Sequence, residues 1–252
     1  MGKIRIFNVA ARYNVIFIDW YLAVSWLKLL PLTLSKVLRP DKTQIKFAFV
    51  RGLFVPLLRS MPKLYIIACC NGAGKTTASY TVLPEMLGCR EFVNADEIAK
   101  GLSPFNPESV AIEAGRLMLQ RMDDLLSEGE DFAFETTLAT RSYVKFVERA
   151  QAKGYFVTLL YFWLPTPEQA IERVATRVSE GGHNIPSDVI RRRYANGIKN
   201  LTTLYTPICD YWIIYDNSVA DGIHKVAWGV KDEIKEIVDP LSYQKIVGYE
   251  RD

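Results

Sequence analysis

Apolar positions come in short continuous runs separated by longer segments with helical spacing. Lys63 to Ala68 (KLYIIA) is an isoleucine-rich run bounded by Pro62 and a glycine-containing loop. Such a run predicts a strand buried on both faces. Glu91–Asn94 (EFVN), Asp131–Glu135 (DFAFE), Tyr155–Leu164 (YFVTLLYFWL) and Tyr211–Tyr215 (YWIIY) predict four more, the aromatic one at 155–164 being central. Between them the period changes to that of helices. Val110, Ala114, Leu117, Met118, Met122 and Leu125 follow an Asn106-Pro107-Glu108 start and stop at Gly129. Ala170, Ile171, Val174, Ala175 and Val178 follow Thr166-Pro167-Glu168. Further helices are predicted over 74–87, 142–153, 187–205 and 221–238. Strands alternating with helices five times predict an α/β fold with a mainly parallel five-stranded sheet.

The first sixty residues differ from the rest. They hold ten Lys or Arg against two acids, whereas the other 192 hold 21 basic and 26 acidic residues. The body therefore carries no basic footprint for nucleic acid, and none is expected as partner. Val15–Leu34 is long and apolar enough to span a bilayer. However, Asp19 and Lys28 inside it each cost roughly 2.5–3.5 kcal/mol at a helix centre, and Pro31 interrupts its end. These costs argue against a spanning helix. Three readings stay open: a peripheral membrane contact through Arg12, Trp20, Trp26 and Lys36, a helical extension packed on the body, or a natural start at Met61. The expected organisation is an extension over 1–60, a main α/β domain over 61–218 and a C-terminal helical tail over 219–252.

Four cysteines without C-x-x-C spacing (Cys69, Cys70, Cys89 and Cys209) and only two histidines predict reduced thiols in a cytoplasmic protein, without a disulfide framework or zinc site.

The chemistry concentrates where strands end. After the first strand comes Cys69-Cys70-Asn71-Gly72-Ala73-Gly74-Lys75-Thr76-Thr77. A loop turning into a helix there converges backbone N–H groups on an anion. Asn71, Gly72, Ala73, Gly74, Lys75, Thr76 and Thr77 are thus candidate nucleotide-binding residues, with Lys75 on the phosphates and Thr76 on Mg²⁺. The usual first glycine of G-x-x-x-x-G-K-[ST] is replaced by Cys69, which fits if its φ is negative. Either Cys69 only fills that space, or oxidation of Cys69 or Cys70 gates the loop.

Asp96, in FVNADEIA, ends the second strand and is the candidate general base; its alternative role is a helix cap. Glu135, Thr136 and Thr137 end the third strand and face the same crevice if the strands are parallel. Arg173 and Arg177 share a helix face, and Arg191, Arg192 and Arg193 open the next helix beyond a Gly181-Gly182 loop. Arginines flanking a glycine loop suit a lid that neutralises a transferring phosphoryl group.

LYIIACCNGAGKTT, FVNADEIAKGLSPFNPESVAIEAGRLML, FAFETTLATRSY, GGHNIPSDVIRRRY and YDNS resemble the zeta-toxin family, in its short bacterial subgroup, across 62–218. The resemblance implies a P-loop NTPase three-layer fold with a kinase-type lid, using ATP or GTP with Mg²⁺. Members of that family phosphorylate the sugar of UDP-N-acetylglucosamine and are held inactive by a small antitoxin. Carried over, Lys75 and Thr76 are the nucleotide-loop pair and Asp96 the catalytic base. Glu135, Thr137 and Glu113 hold the acceptor. Arg173, with Arg177 or one of Arg191 to Arg193 (Arg192 taken here), serves the lid. The expected function is transfer of the γ-phosphoryl group to a small-molecule hydroxyl. The alternative is a nucleotide switch in which Asp96-Glu97 activates water.

Overall fold

The computed structural model describes residues 61–73, 87–179, 184–219 and 222–249. The N-terminal extension 1–60, most of the helix predicted over 74–87, and His183 lie outside the described residues.

Strand β1 (Lys63–Cys69) has six consecutive buried residues after Lys63. Burying one such isoleucine contributes roughly 1.5–3 kcal/mol, which favours a position with both faces covered. β1 pairs in parallel with β3 (Phe132–Thr136) on one side and β4 (Phe156–Trp163) on the other. β2 (Glu91–Val93) pairs in parallel with β3, and β5 (Tyr211–Asp216) with β4. Two further strands, β6 (His224–Val230) and β7 (Glu233–Ile237), are antiparallel and complete the order β2-β3-β1-β4-β5-β6-β7. The aromatic run β4 sits at the centre of the sheet, as its composition predicts.

Among the described residues, the longer helices between these strands are α1 (Ala95–Leu102), α2 (Ala111–Glu128), α3 (Val144–Ala152), α4 (Pro167–Ser179) and α5 (Ser187–Asn200). A 3₁₀ turn, Pro107–Val110, precedes α2, and Asn106 makes no side-chain cap to it. Gly129 closes α2 at φ 75°. A π-helical turn, Leu201–Tyr205, extends α5.

The C-terminal helix predicted over 221–238, within the helical tail 219–252, is corrected: the chain there forms the β6–β7 hairpin, and the helix α6 (Pro240–Gly248) follows. Val226, Val230, Ile234 and Ile237 fit helical spacing, which hid the strands. Gly229 is the overlooked signal. A Cβ there would lie 2.4 Å from the Trp212 ring, so only glycine lets β6 pass so close to β5. The sheet therefore has seven strands rather than five, and is partly mixed.

The parallel arrangement fixes where the site lies. The chain order reverses about β1, and the carboxyl ends of β1 to β5 share one edge. In open α/β sheets, that edge beside the reversal is where ligands bind.

Candidate active site

Cys69 is the last residue of β1 and is fully buried. Among the described residues, the non-glycine positions with positive φ are Leu138 and Lys231, so Cys69 sits in ordinary backbone geometry. Its thiol donates to the Cys70 carbonyl at 2.8 Å. The left-handed turn falls instead at Gly72, φ 81°. A Cβ on Gly72 would lie 2.7 Å from the Ala170 carbonyl and 3.3 Å from Val174 Cγ2, because α4 packs directly over the loop. Among the described residues of the loop, Gly72 is thus the position that needs glycine, and Cys69 fills space. Both loop thiols are buried, at 0% and 2% exposure, which speaks against gating by oxidation.

Among the described residues, Asn217 and Arg193 reach this loop. Asn217, just beyond β5, donates its Nδ2 to the Ala73 carbonyl at 2.7 Å. Arg193 Nη1 reaches Oδ1 of the buried Asn71 at 3.5 Å. Gly74, Lys75, Thr76 and Thr77 lie outside the described residues.

The carboxylates are organised by Asn94, a residue the sequence reading passed over. Its Oδ1 accepts from the backbone N–H groups of Asp96 (2.8 Å) and Glu97 (3.4 Å), capping α1. Its Nδ2 donates to Glu135 Oε2 at 2.8 Å. The cap of α1 is therefore Asn94 and not Asp96. Asp96 stands exposed in the first turn of α1, where the N-terminal end of the dipole favours a carboxylate. Glu97 is engaged with Lys100 at 2.7 Å.

Beyond β3 the chain turns sharply. Thr136 Oγ1 accepts from the Leu138 N–H at 3.1 Å, and Thr137 Oγ1 from the Ala139 N–H at 3.5 Å. Leu138 has φ 54°, a conformation costing an L-residue roughly 1–2 kcal/mol. Such strain persists only where the surroundings impose it. Here Leu138 is fully buried, and Asn200 donates to its carbonyl at 2.7 Å.

The arginines divide. Arg173 Nη2 and Gln169 Nε2 both donate to the Ser218 carbonyl, at 2.9 and 3.0 Å, tying α4 to the exit of β5. Arg177 is half-buried on the same helix. Arg191 forms an exposed ion pair with Glu168. Arg192, taken as the lid residue from sequence, is exposed; its neighbour Arg193 reaches the loop instead. One residue along a helix is a 100° rotation, and the helix phase could not be fixed from sequence to that accuracy. Glu113 stands exposed in the first turn of α2.

Among the described residues of the loop, the left-handed Gly72 lets the backbone lie against α4 where a Cβ has no room, and Arg193 approaches Asn71. Among the described residues no group of three His, Cys, Asp or Glu is placed to hold a metal. Mg²⁺ bound through phosphate oxygens needs only one or two protein ligands. Among the described residues no helix is long and apolar enough to cross a membrane, and residues 15–34 lie outside them.

The zeta toxin family model matches residues 56–221, and the chain belongs to that family. Its α/β fold with a mainly parallel sheet is of the kind seen in P-loop kinases. An uncharacterized protein of Haemophilus influenzae is 29% identical over 124 residues, 49% of this chain and 86% of that protein. Among solved structures, a chain of the AvrRxo1-ORF1:AvrRxo1-ORF2 complex with sulphate ions aligns with TM-score 0.61 at 18% identity. The alignment covers 74% of this chain and 63% of the other, so this chain spans under two thirds of that relative's length. A chain of the PezAT chromosomal toxin–antitoxin system of Streptococcus pneumoniae aligns with TM-score 0.54 at 20% identity, covering 83% and 90%.

Proposed function

We propose that the protein transfers the γ-phosphoryl group of ATP to a hydroxyl of a small molecule, with UDP-N-acetylglucosamine or a related sugar nucleotide as acceptor. The observation that carries this reading is the Asn94 bridge. One amide side chain holds the amide of Asp96 and the carboxylate of Glu135 together at the sheet edge where the 69–73 loop ends.

In this reading Asp96 accepts the proton of the acceptor hydroxyl as it attacks. Glu135, oriented by Asn94, accepts a hydrogen bond from a second acceptor hydroxyl, and Thr137 contacts the acceptor beside it. Arg193 and the half-buried Arg177 supply positive charge toward the phosphates, with Lys75. Bound Mg²⁺–ATP, with Thr76 as metal ligand, supplies the phosphoryl group.

Incubation with γ-labelled ATP and a panel of hydroxyl metabolites, UDP-N-acetylglucosamine included, tests the reading. Label in one acceptor is expected; ADP release indifferent to every acceptor, and lost in Glu97→Gln, would establish the switch instead. The likeness to a chain of a chromosomal toxin–antitoxin system also supports toxicity held in check by an antitoxin; growth inhibition on expression of wild type and its loss in Asp96→Ala test the toxicity.

A further inference from the structure

Helix α5 carries Arg193, Gly197 and Asn200 at spacings of four and three, which place them on one face. Each meets a different part of the site. Arg193 approaches Asn71 of the nucleotide loop at 3.5 Å. Gly197 lies so close to the turn after β3 that a Cβ would be 2.7 Å from the Thr137 carbonyl. Asn200, 4% exposed, donates to the Leu138 carbonyl at 2.7 Å. The next position on that face of an α-helix would be residue 204. The π-helical turn Leu201–Tyr205 inserts one extra residue, so Tyr205 takes that place, and its hydroxyl donates to the Thr140 carbonyl at 2.9 Å.

The turn itself has no reason of its own to adopt this shape. Its left-handed residue is a leucine rather than glycine or asparagine, and the hydrogen bonds to the Leu138 and Ala139 N–H groups within it are accepted by the Thr136 and Thr137 hydroxyls. The shape is imposed from α5. Arg193 and Asn200 are about 10 Å apart along the helix, at 1.5 Å per residue.

We infer that this face of α5 is a ruler between the two substrates, with Asn200 a positioning residue that sets the acceptor-binding turn at a fixed distance from the phosphate-side arginine. The inference rests on the kinase reading above. Asn200 touches neither substrate. It acts through Leu138 on Thr137, so its loss moves the acceptor site while leaving the nucleotide loop, which Asn217 and Gly72 hold independently.

The test is steady-state kinetics of Asn200→Ala and Asn200→Asp beside wild type, with ATP and whichever member of the metabolite panel wild type labels. Asn200→Asp keeps the shape, but when ionised it has no donor for the Leu138 carbonyl. Both variants are expected to raise the acceptor KM tenfold or more with the ATP KM within twofold. As pH falls and the new carboxyl protonates, it can donate again, so Asn200→Asp should recover acceptor affinity and Asn200→Ala should not. Hydrogen exchange at residues 136–140, faster in both variants with the 63–69 strand unchanged, separates a loosened turn from global unfolding. Equal shifts in both KM values, or none, would overturn the inference while leaving the kinase reading intact. A wild type that labels no acceptor would overturn both.

Discussion

The side-chain amide of Asn94 donates to Glu135 at 2.8 Å while its oxygen holds the N–H of Asp96 at the same distance. Forty-one residues apart in sequence, Asn94 and Glu135 join the ends of two neighbouring parallel strands. The bridge ties the start of α1 to the end of β3; in the proposed function it holds the carboxylate that orients the acceptor and the base that deprotonates it in a fixed relation.

Substitution of Asn94 separates its two roles. Asn94→Asp keeps an oxygen for the cap, and a good cap is worth about 1 kcal/mol. It replaces the Glu135 donor by a second carboxylate. Transfer efficiency is expected to fall about tenfold or more, equivalent to about 1.4 kcal/mol at the barrier, with little change in melting temperature. Asn94→Ala is expected to lose both, melting a few degrees lower. Equal kcat/KM in wild type and Asn94→Asp would remove the bridge from the account.

Neighbouring arginines should behave differently. Arg193 faces the nucleotide loop, whereas Arg192 is exposed. Arg193→Met is expected to lower kcat/KM for ATP by about a hundredfold, in the range for a lost charge contact in the transition state. Arg192→Met should stay within about twofold, as an exposed charge contributes little. The reverse order would place the functional face of α5 elsewhere.

Cys69→Gly should change ATP affinity by less than tenfold, because a left-handed backbone falls at Gly72 and not at Cys69, whose backbone is unstrained. Titration calorimetry measures this. Gly72→Ala, by contrast, meets the Ala170 carbonyl and should abolish binding.

Cys89 gives a pH dependence. Burial, with Asp131 next in effect, pushes its thiol from 9.0 up to about 12. Below pH 9 the thiol is protonated in both folded and unfolded chains and the contribution is constant. Between about 9 and 12 only the unfolded chain releases the proton, so stability falls as pH rises through that window. Cys89→Ala should show a shallower loss in urea titrations across pH 8–11; identical slopes would contradict it.

Much of this was legible in the sequence because the five parallel strands are continuous apolar runs and their carboxyl ends carry the polar motifs. Asn94, Asn200 and Asn217 were not. Each acts through one hydrogen bond to a residue between 41 and 144 positions away, and no local pattern encodes such a pairing. Gly197 and Asn200 left a faint trace, since glycine and asparagine are poor interior helix residues and their presence in YANGIKN marks a packing constraint. The β6–β7 hairpin was lost because its branched residues fit either period, and only Gly229 distinguished them.

The most direct measurement is transfer of labelled γ-phosphate to the acceptor panel by wild type and Asp96→Asn, with nucleotide affinity measured on both. The account predicts label in one hydroxyl acceptor, a loss of about 10²–10⁴-fold in Asp96→Asn, the range of general-base catalysis, and unchanged nucleotide affinity. Undiminished transfer by Asp96→Asn, or nucleotide turnover by wild type without label in any acceptor, would contradict it.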